Sequence, residues 1–207
     1  MKIVLATKNA GKVREMQAIL ADLPVEILSA ADFPELPDVV EDGKTFTENA
    51  VKKAKTVCEA TGLVAVADDS GLEVDYLEGA PGIYSARFAG EGKSDLDNNL
   101  KLLGLLHDLP MQKRTARFSC VIAVATPCGE LHTAEGTCEG LVGYDMRGEK
   151  GFGYDPLFYL PEYDKTFAEL ELDLKNTISH RGRALAGVRD ILANISERLA
   201  AEQCGLG

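Results

Sequence analysis

The sequence predicts an α/β protein built on an elongated mixed sheet flanked by helices. Three observations carry this. A short apolar run at residues 2–6 passes directly into helical periodicity, and strand and helix signals then alternate as far as Leu109. From residue 115 the period changes, and two long strand-like stretches follow with a turn between them.

Taken in order, residues 2–6 read as a buried strand, and Val13 to Leu23 carries helical spacing through Val13, Met16, Ile19, Leu20 and Leu23. Val25 to Leu28 is a short second strand. Thr47-Glu48-Asn49 opens a helix that Gly62 stops, and the apolar run Leu63 to Ala67 is a strand ending at Asp68-Asp69. Gly79 to Gly92 reads as loop, and Asp95 to Leu109 as a helix with Leu96, Leu100, Leu103 and Leu106 on one face. Residues 115–126 and 130–142 meet at Pro127-Cys128-Gly129 as an antiparallel hairpin. A last long helix starts near His180-Arg181 and continues through Leu185, Val188, Ile191, Leu192 and Ile195. No linker or repeat divides the 207 residues, so one domain is expected.

The composition is that of an ordinary soluble chain, 45% hydrophobic and 27% charged. No apolar run approaches the roughly 20 residues of a membrane span. The N-terminal apolar stretch is too short for a signal-peptide core, so a cytoplasmic protein is expected. Five cysteines without metal-type spacing are read as reduced thiols. A net charge of -11 argues against a nucleic-acid-binding face. Any polyphosphate site must therefore be assembled locally from lysines, arginines, backbone amides and a divalent metal.

Four segments could carry chemistry. In Thr7-Lys8-Asn9-Ala10-Gly11-Lys12 a strand gives way to a helix. Amides at the helix start, the side chains of Thr7 and Asn9, and the Lys12 ammonium suit a triphosphate, although an ordinary capped turn uses the same residues. Asp68-Asp69-Ser70-Gly71 places two carboxylates at a strand end, as hard cations require, and alternation along a strand sends the two aspartates opposite ways. Glu41 could add a carboxylate, and Lys53 could face the aspartates instead of solvent. Gly151-Phe152-Gly153-Tyr154-Asp155-Pro156 flanks an aromatic ring with glycines, which suits stacking on a planar base as well as a turn packed on the core. In Lys175 to Gly182, two cations, His180 and Arg181, fall in the first turn of a helix. They oppose its dipole there, so a compensating role is expected.

In this order, together with Thr45-Phe46-Thr47-Glu48-Asn49-Ala50 and Gly79-Ala80-Pro81-Gly82-Ile83-Tyr84-Ser85-Ala86-Arg87, the segments resemble the inosine/xanthosine triphosphate pyrophosphatase family, in particular its bacterial dITP/XTP pyrophosphatases. The resemblance spans roughly residues 2–200 and leaves only the tail around Cys204 outside. It implies two lobes with the active-site cleft between them, a homodimer, magnesium as cofactor and a nucleoside triphosphate as substrate. It also implies that Thr7, Asn9, Lys12 and Lys53 bind the triphosphate and that Ser70 contacts substrate. Asp69 would be the catalytic proton acceptor and, with Glu41, a metal ligand. Phe152 would stack on the purine, with Gly153, Tyr154 and Asp155 completing that wall, and Lys175, His180 and Arg181 would read the base edge. No role follows for Lys8. A pyrophosphatase for modified pyrimidines and a nucleotide sensor without turnover are the alternatives, and a sensor has little use for Asp69.

Overall fold

The computed structural model describes the backbone of residues 1–204 and the side chains as far as Arg198. Seven strands form one sheet: β1 (Lys2–Leu5), β2 (Glu26–Ser29), β3 (Val64–Val74), β4 (Thr115–Ala125), β5 (Leu131–Val142), β6 (Phe158–Leu160) and β7 (Lys165–Thr166), in the order β2-β1-β3-β4-β5-β6-β7. The sheet is mixed. β1 pairs in parallel with β2 and β3, whereas β6 is antiparallel to β5 and β7. The parallel part needs crossover helices, and α1 (Ala10–Ile19) and α2 (Phe46–Thr61) supply them. The remaining helices are α3 (Asp95–Leu105), α4 (Leu172–Ile178) and α5 (His180–Cys204). Among the described residues no helix is long and apolar enough to cross a membrane. Cys58, Cys120, Cys128 and Cys138 carry free thiols, and the side chain of Cys204 lies outside the described residues.

Local chemistry sets the helix ends. Asn9 Oδ1 accepts from the Lys12 amide at 3.0 Å, so α1 begins three residues ahead of its apolar periodicity. Thr45 Oγ1 accepts from the Glu48 amide at 3.1 Å, and Glu48 Oε2 accepts from the Lys44 amide. Gly62, with φ of 67°, closes α2 in the left-handed conformation. Ser179 is extended and separates α4 from α5; α4 is a helix that periodicity did not predict.

Two expectations need correction. The strand entering Asp68-Asp69 does not stop there: β3 continues to Val74, because Leu72 and Val74 are fully buried and extend the apolar pattern. The leucine stripe of α3 also splits. Leu106 is buried and Leu103 half-buried, but Leu96 and Leu100 remain 54% and 52% exposed; Leu102, outside the stripe, is buried, and the buried positions of the first turns belong to Asn98 and Asn99.

The chain divides into two compact units: Met1–Asp69 with Val121–Gly136 and the segment from Arg181 onward, and Ser70–Cys120 with Thr137–His180. β3, β4 and β5 each contribute to both units. The first core is made of small residues, among them Val4, Ala54, Ala65, Ala67, Ala123 and Ala125, which let α2 lie close on the strands. The second core is aromatic: Phe158 packs at 4.7 Å from Phe118 and 4.8 Å from Phe167, backed by Leu72, Val74, Leu102 and Leu106. Within it Arg114, 1% exposed, donates to the carbonyls of Leu106, Val142 and Gly143 and ties the end of α3 to the end of β5.

Gly71 lets the short 3-10 helix at Gly82–Arg87 approach β3, because a Cβ there would collide with the Gly82 carbonyl and Ser85 Oγ. Gly71→Ala is expected to destabilise the fold by about 1–3 kcal/mol, the usual cost of overpacking. Urea denaturation measures it, and an unchanged midpoint would contradict the close approach.

Candidate functional site

The first unit gathers two charge networks around consecutive residues of β3. Asp69, 5% exposed, accepts from Lys53 Nζ at 2.9 Å and from Asn49 Nδ2 at 3.2 Å. Lys53 Nζ also reaches Glu41 Oε1 at 3.1 Å, so one ammonium sits between two carboxylates. Lys53 and Asn49 are four residues apart on α2 and share a face. Asn49 also accepts from the Gly43 amide at 2.8 Å, which tethers the loop that carries Glu41.

Asp68 points the other way, as strand alternation requires. Its Oδ1 lies 2.7 Å from Lys12 Nζ, and its Oδ2 accepts from Arg181 Nε at 3.1 Å and Nη2 at 3.0 Å. Arg181 Nη1 donates to buried Glu15. Lys12 and Glu15 are one turn apart on α1, and Arg181 opens α5, so Asp68 fastens both helices to β3.

The two aspartates titrate in opposite directions. Burial raises the Asp69 carboxyl to about 6, with the Glu41 carboxylate adding to the effect and Lys53 and Lys12 opposing it. Burial acts on Asp68 in the same sense, but Lys12, Arg181 and Lys53 overcome it and hold its carboxyl well below the ordinary range. Burial would lower the Lys53 ammonium; Asp69, Asp68 and Glu41 outweigh it and raise it. A carboxyl that titrates near neutrality beside a lysine is suited to taking a proton from water.

The second unit holds the aromatic segment. Lys175 Nζ lies 2.5 Å from Asp155 Oδ2, both buried, and that oxygen also accepts from the Phe152 amide at 2.9 Å. The same ammonium stands 5.3 Å from the Phe152 ring centroid. Tyr154 is buried and donates to the Ser85 carbonyl at 2.9 Å. His180 stacks on Phe118 at 4.6 Å with 12° between the planes.

The structure therefore brings Lys12, Glu41, Lys53, Asp69 and Arg181 together in one unit, and Phe152, Gly153, Tyr154, Asp155, Lys175 and His180 in the other. Ser70 opens the second unit on β3 and is half-buried. Thr7 Oγ1 accepts from the Asn9 amide at 3.1 Å, so this hydroxyl and the Asn9 amide group first shape the loop before α1. Arg181 directs Nε, Nη1 and Nη2 at carboxylates, so the charge placed against the helix dipole is neutralised by Asp68 and Glu15. Lys8 pairs with exposed Asp38 at 2.8 Å. Sequence reasoning missed Glu15 and Asn49. Glu15 stands one turn beyond Lys12 on a face otherwise apolar at Met16, and Asn49 sits in the first turn of α2, one turn before Lys53. Only those spacings could have drawn attention to them.

Fold and residues together define a mixed-sheet α/β protein with buried carboxylate–cation networks at the centre of β3. A family model described as the Ham1 family matches residues 3–191, and the chain belongs to the Ham1 family. It is 58% identical to a dITP/XTP pyrophosphatase of Desulforamulus reducens over 93% of this chain and 96% of that protein. It is 54% identical to the dITP/XTP pyrophosphatase of Geobacter sulfurreducens over 92% and 96%. A HAM1 protein from Coxiella burnetii superposes with a TM-score of 0.84 at 41% identity, over 94% of this chain and 99% of that one. The Staphylococcus aureus Ham1 protein does so with 0.82 at 42% identity, over the same shares.

Removing Asp68 leaves buried Arg181 and half-buried Lys12 without their shared counter-ion, so Asp68→Ala is expected to cost about 3–5 kcal/mol of stability. Because its carboxyl is depressed in the fold, the stabilisation is fully present above the unfolded value of about 3.9 and is lost progressively as pH falls from there towards the much lower folded value. Denaturation at neutral and at acid pH checks both. A variant as stable as the parent at neutral pH would contradict the role assigned to Asp68.

Proposed function

We propose that this protein is a nucleoside triphosphate pyrophosphatase that hydrolyses dITP, ITP and XTP to the nucleoside monophosphate and pyrophosphate. In this reading it works in the cytoplasm and keeps deaminated purines out of DNA and RNA. The observation that carries the reading is the Lys53 ammonium between Asp69 and Glu41, in a chain 58% identical to a dITP/XTP pyrophosphatase.

Asp69 accepts the proton of the attacking water, for which a carboxyl at about 6 is suited near neutral pH. Lys12, the amides at the start of α1, Thr7 and Asn9 bind the triphosphate, and Lys53 approaches it from α2. Ser70, next to Asp69, contacts the same substrate. A divalent metal, magnesium by the resemblance, fits Asp69 and Glu41, since the ammonium between them marks a cation position bounded by hard oxygen ligands. Among the described residues no group of three or more His, Cys, Asp or Glu could hold a metal ion, so phosphates and water would have to supply the other ligands. Bound there, the metal would neutralise triphosphate charge and polarise the phosphorus under attack.

Base recognition belongs to the second unit. Phe152 stacks on the purine, and Gly153, Tyr154 and Asp155 complete the wall. Lys175 and His180 donate to the 6-carbonyl of hypoxanthine or xanthine; adenine offers an amino group there and leaves such donors unpaired. Arg181, in the first turn of α5 and held by Asp68 and Glu15, is the further candidate for reading the base edge. We further propose a homodimer; the exposed Leu96 and Leu100 of α3 and exposed Tyr84 supply an apolar face suited to pairing.

Product analysis with purified protein, magnesium and ITP or ATP is expected to give IMP and pyrophosphate from ITP, with ATP nearly untouched. Orthophosphate release or equal use of ATP would reject the reading, and tight ITP binding without turnover would make the protein a sensor. The kcat/KM for ITP is expected to rise with pH through an apparent pKa of about 6, because Asp69 must be deprotonated to accept a proton. Asp69→Asn removes that limb and lowers kcat by about 10²–10⁴-fold. Sedimentation equilibrium is expected to give twice the monomer mass, falling to one monomer in Leu96→Lys/Leu100→Lys; a monomeric parent would dismiss the dimer.

A further inference from the structure

Gly153 is held at both ends of its backbone by a single helix. Its N–H donates to Asp95 Oδ2 at 2.8 Å, and its carbonyl accepts from Asn99 Nδ2 at 2.8 Å. Asp95 and Asn99 are four residues apart in the first turns of α3, so their side chains leave the helix on one face. The glycine they hold has φ of 60°, and Gly151 two residues earlier has φ of 76°. A Gly-Phe-Gly turn has much backbone freedom to lose, so contacts from outside it add to the bond that the Phe152 amide donates to Asp155 in setting the ring's direction.

Stability alone does not account for this pair. Asn99 is 3% exposed, and its Oδ1 is buried with no hydrogen-bond partner among the described residues. An apolar residue at the same place would avoid that desolvation, so the amide is explained by the hydrogen bond it gives to Gly153. Asp95 lies in the first turn of α3, where a negative charge is favoured by the helix dipole, but the dipole does not direct its Oδ2 at the Gly153 amide. Tyr154 completes the frame: its hydroxyl reaches the Ser85 carbonyl on the 3-10 helix that packs against α3. Burial, with Asp95 contributing, pushes that hydroxyl's pKa upward and keeps it a donor.

We propose that Asp95 and Asn99 are positioning residues for base selectivity: by fixing both polar groups of Gly153 they set the direction of the Phe152 ring. The proposal rests on the reading of Phe152 as the stacking ring. It adds two residues from a helix that no sequence motif connects to the Gly-Phe-Gly segment.

The test is steady-state kinetics on ITP and ATP for the parent, Asp95→Ala, Asp95→Asn, Asn99→Leu and Asn99→Asp, each also combined with Phe152→Ala. Asp95→Ala and both Asn99 variants are expected to raise KM for ITP by about tenfold, with a smaller change in kcat, and to narrow the preference for ITP over ATP. Asp95→Asn keeps an acceptor for the Gly153 amide and is expected to restore KM and preference, which a role through helix charge alone would not. In the Phe152→Ala background the same substitutions are expected to shift KM by less than about twofold, because their effect passes through the ring. Unchanged KM and preference in Asp95→Ala and Asn99→Asp would overturn the proposal, as would full effects that persist without the Phe152 ring. Amide hydrogen exchange over residues 151–155 in the ligand-free protein separates this from the nucleotide reading. Faster exchange in the variants supports the clamp, and unchanged exchange removes it. A parent protein inactive on ITP would overturn the nucleotide reading and the selectivity role with it, while faster exchange in the variants would still report the grip on Gly153.

Discussion

Two consecutive aspartates inside a strand send their carboxylates to opposite faces, and the first unit is organised around that constraint. β3 runs straight through Asp68 and Asp69, so their side chains leave on opposite faces. On one face Asp68 collects Lys12 from α1 and Arg181 from α5, and Arg181 in turn holds Glu15. On the other Asp69 collects Lys53 and Asn49 from α2 and, through Lys53, Glu41. Three helices and one loop are thereby referred to a single dipeptide.

The same division separates structure from reactivity. Both aspartates are buried and both have lysine neighbours, yet one carboxyl is pulled down and the other pushed up. The difference lies in the balance of charge. Asp68 has Lys12 on one oxygen and two donors of Arg181 on the other, a surplus of cations that keeps it ionised. Asp69 shares one ammonium with a second carboxylate, and the sharing leaves its desolvation incompletely compensated. Environments that drive two like groups apart in this way assign one to holding and the other to proton transfer. The overall charge of -11 makes the burial of Lys53 and Arg181 more telling: in an acidic chain these cations are placed, not merely abundant.

The second unit solves a different problem, that of giving direction to a flexible turn. The segment from Gly151 to Asp155 has little rigidity of its own, and its order is borrowed from neighbours. Asp155 reaches back to the Phe152 amide and is itself held by Lys175, Tyr154 is anchored at Ser85, and α3 grips Gly153. Beneath lies the cluster of Phe118, Phe158 and Phe167, on which His180 stacks. A polar turn on a rigid aromatic base can present a ring without collapsing onto it.

Much of this was legible in the linear chain. The mixed α/β order, the capped start of α1, the stop of α2 at Gly62 and the chemical character of the 7–12, 68–71 and 151–156 segments follow from short-range rules, because caps, turns and periodicity act within a few residues. Alternation along a strand even foretold that Asp68 and Asp69 would part. Where β3 ends, why α3 exposes Leu96 and Leu100, and which acid meets which cation were decided by packing between segments far apart in sequence: Glu15 and Arg181 are 166 positions apart, Asp95 and Gly153 58. Pairings at that range depend on the path of the whole chain, and no local pattern of residues encodes them.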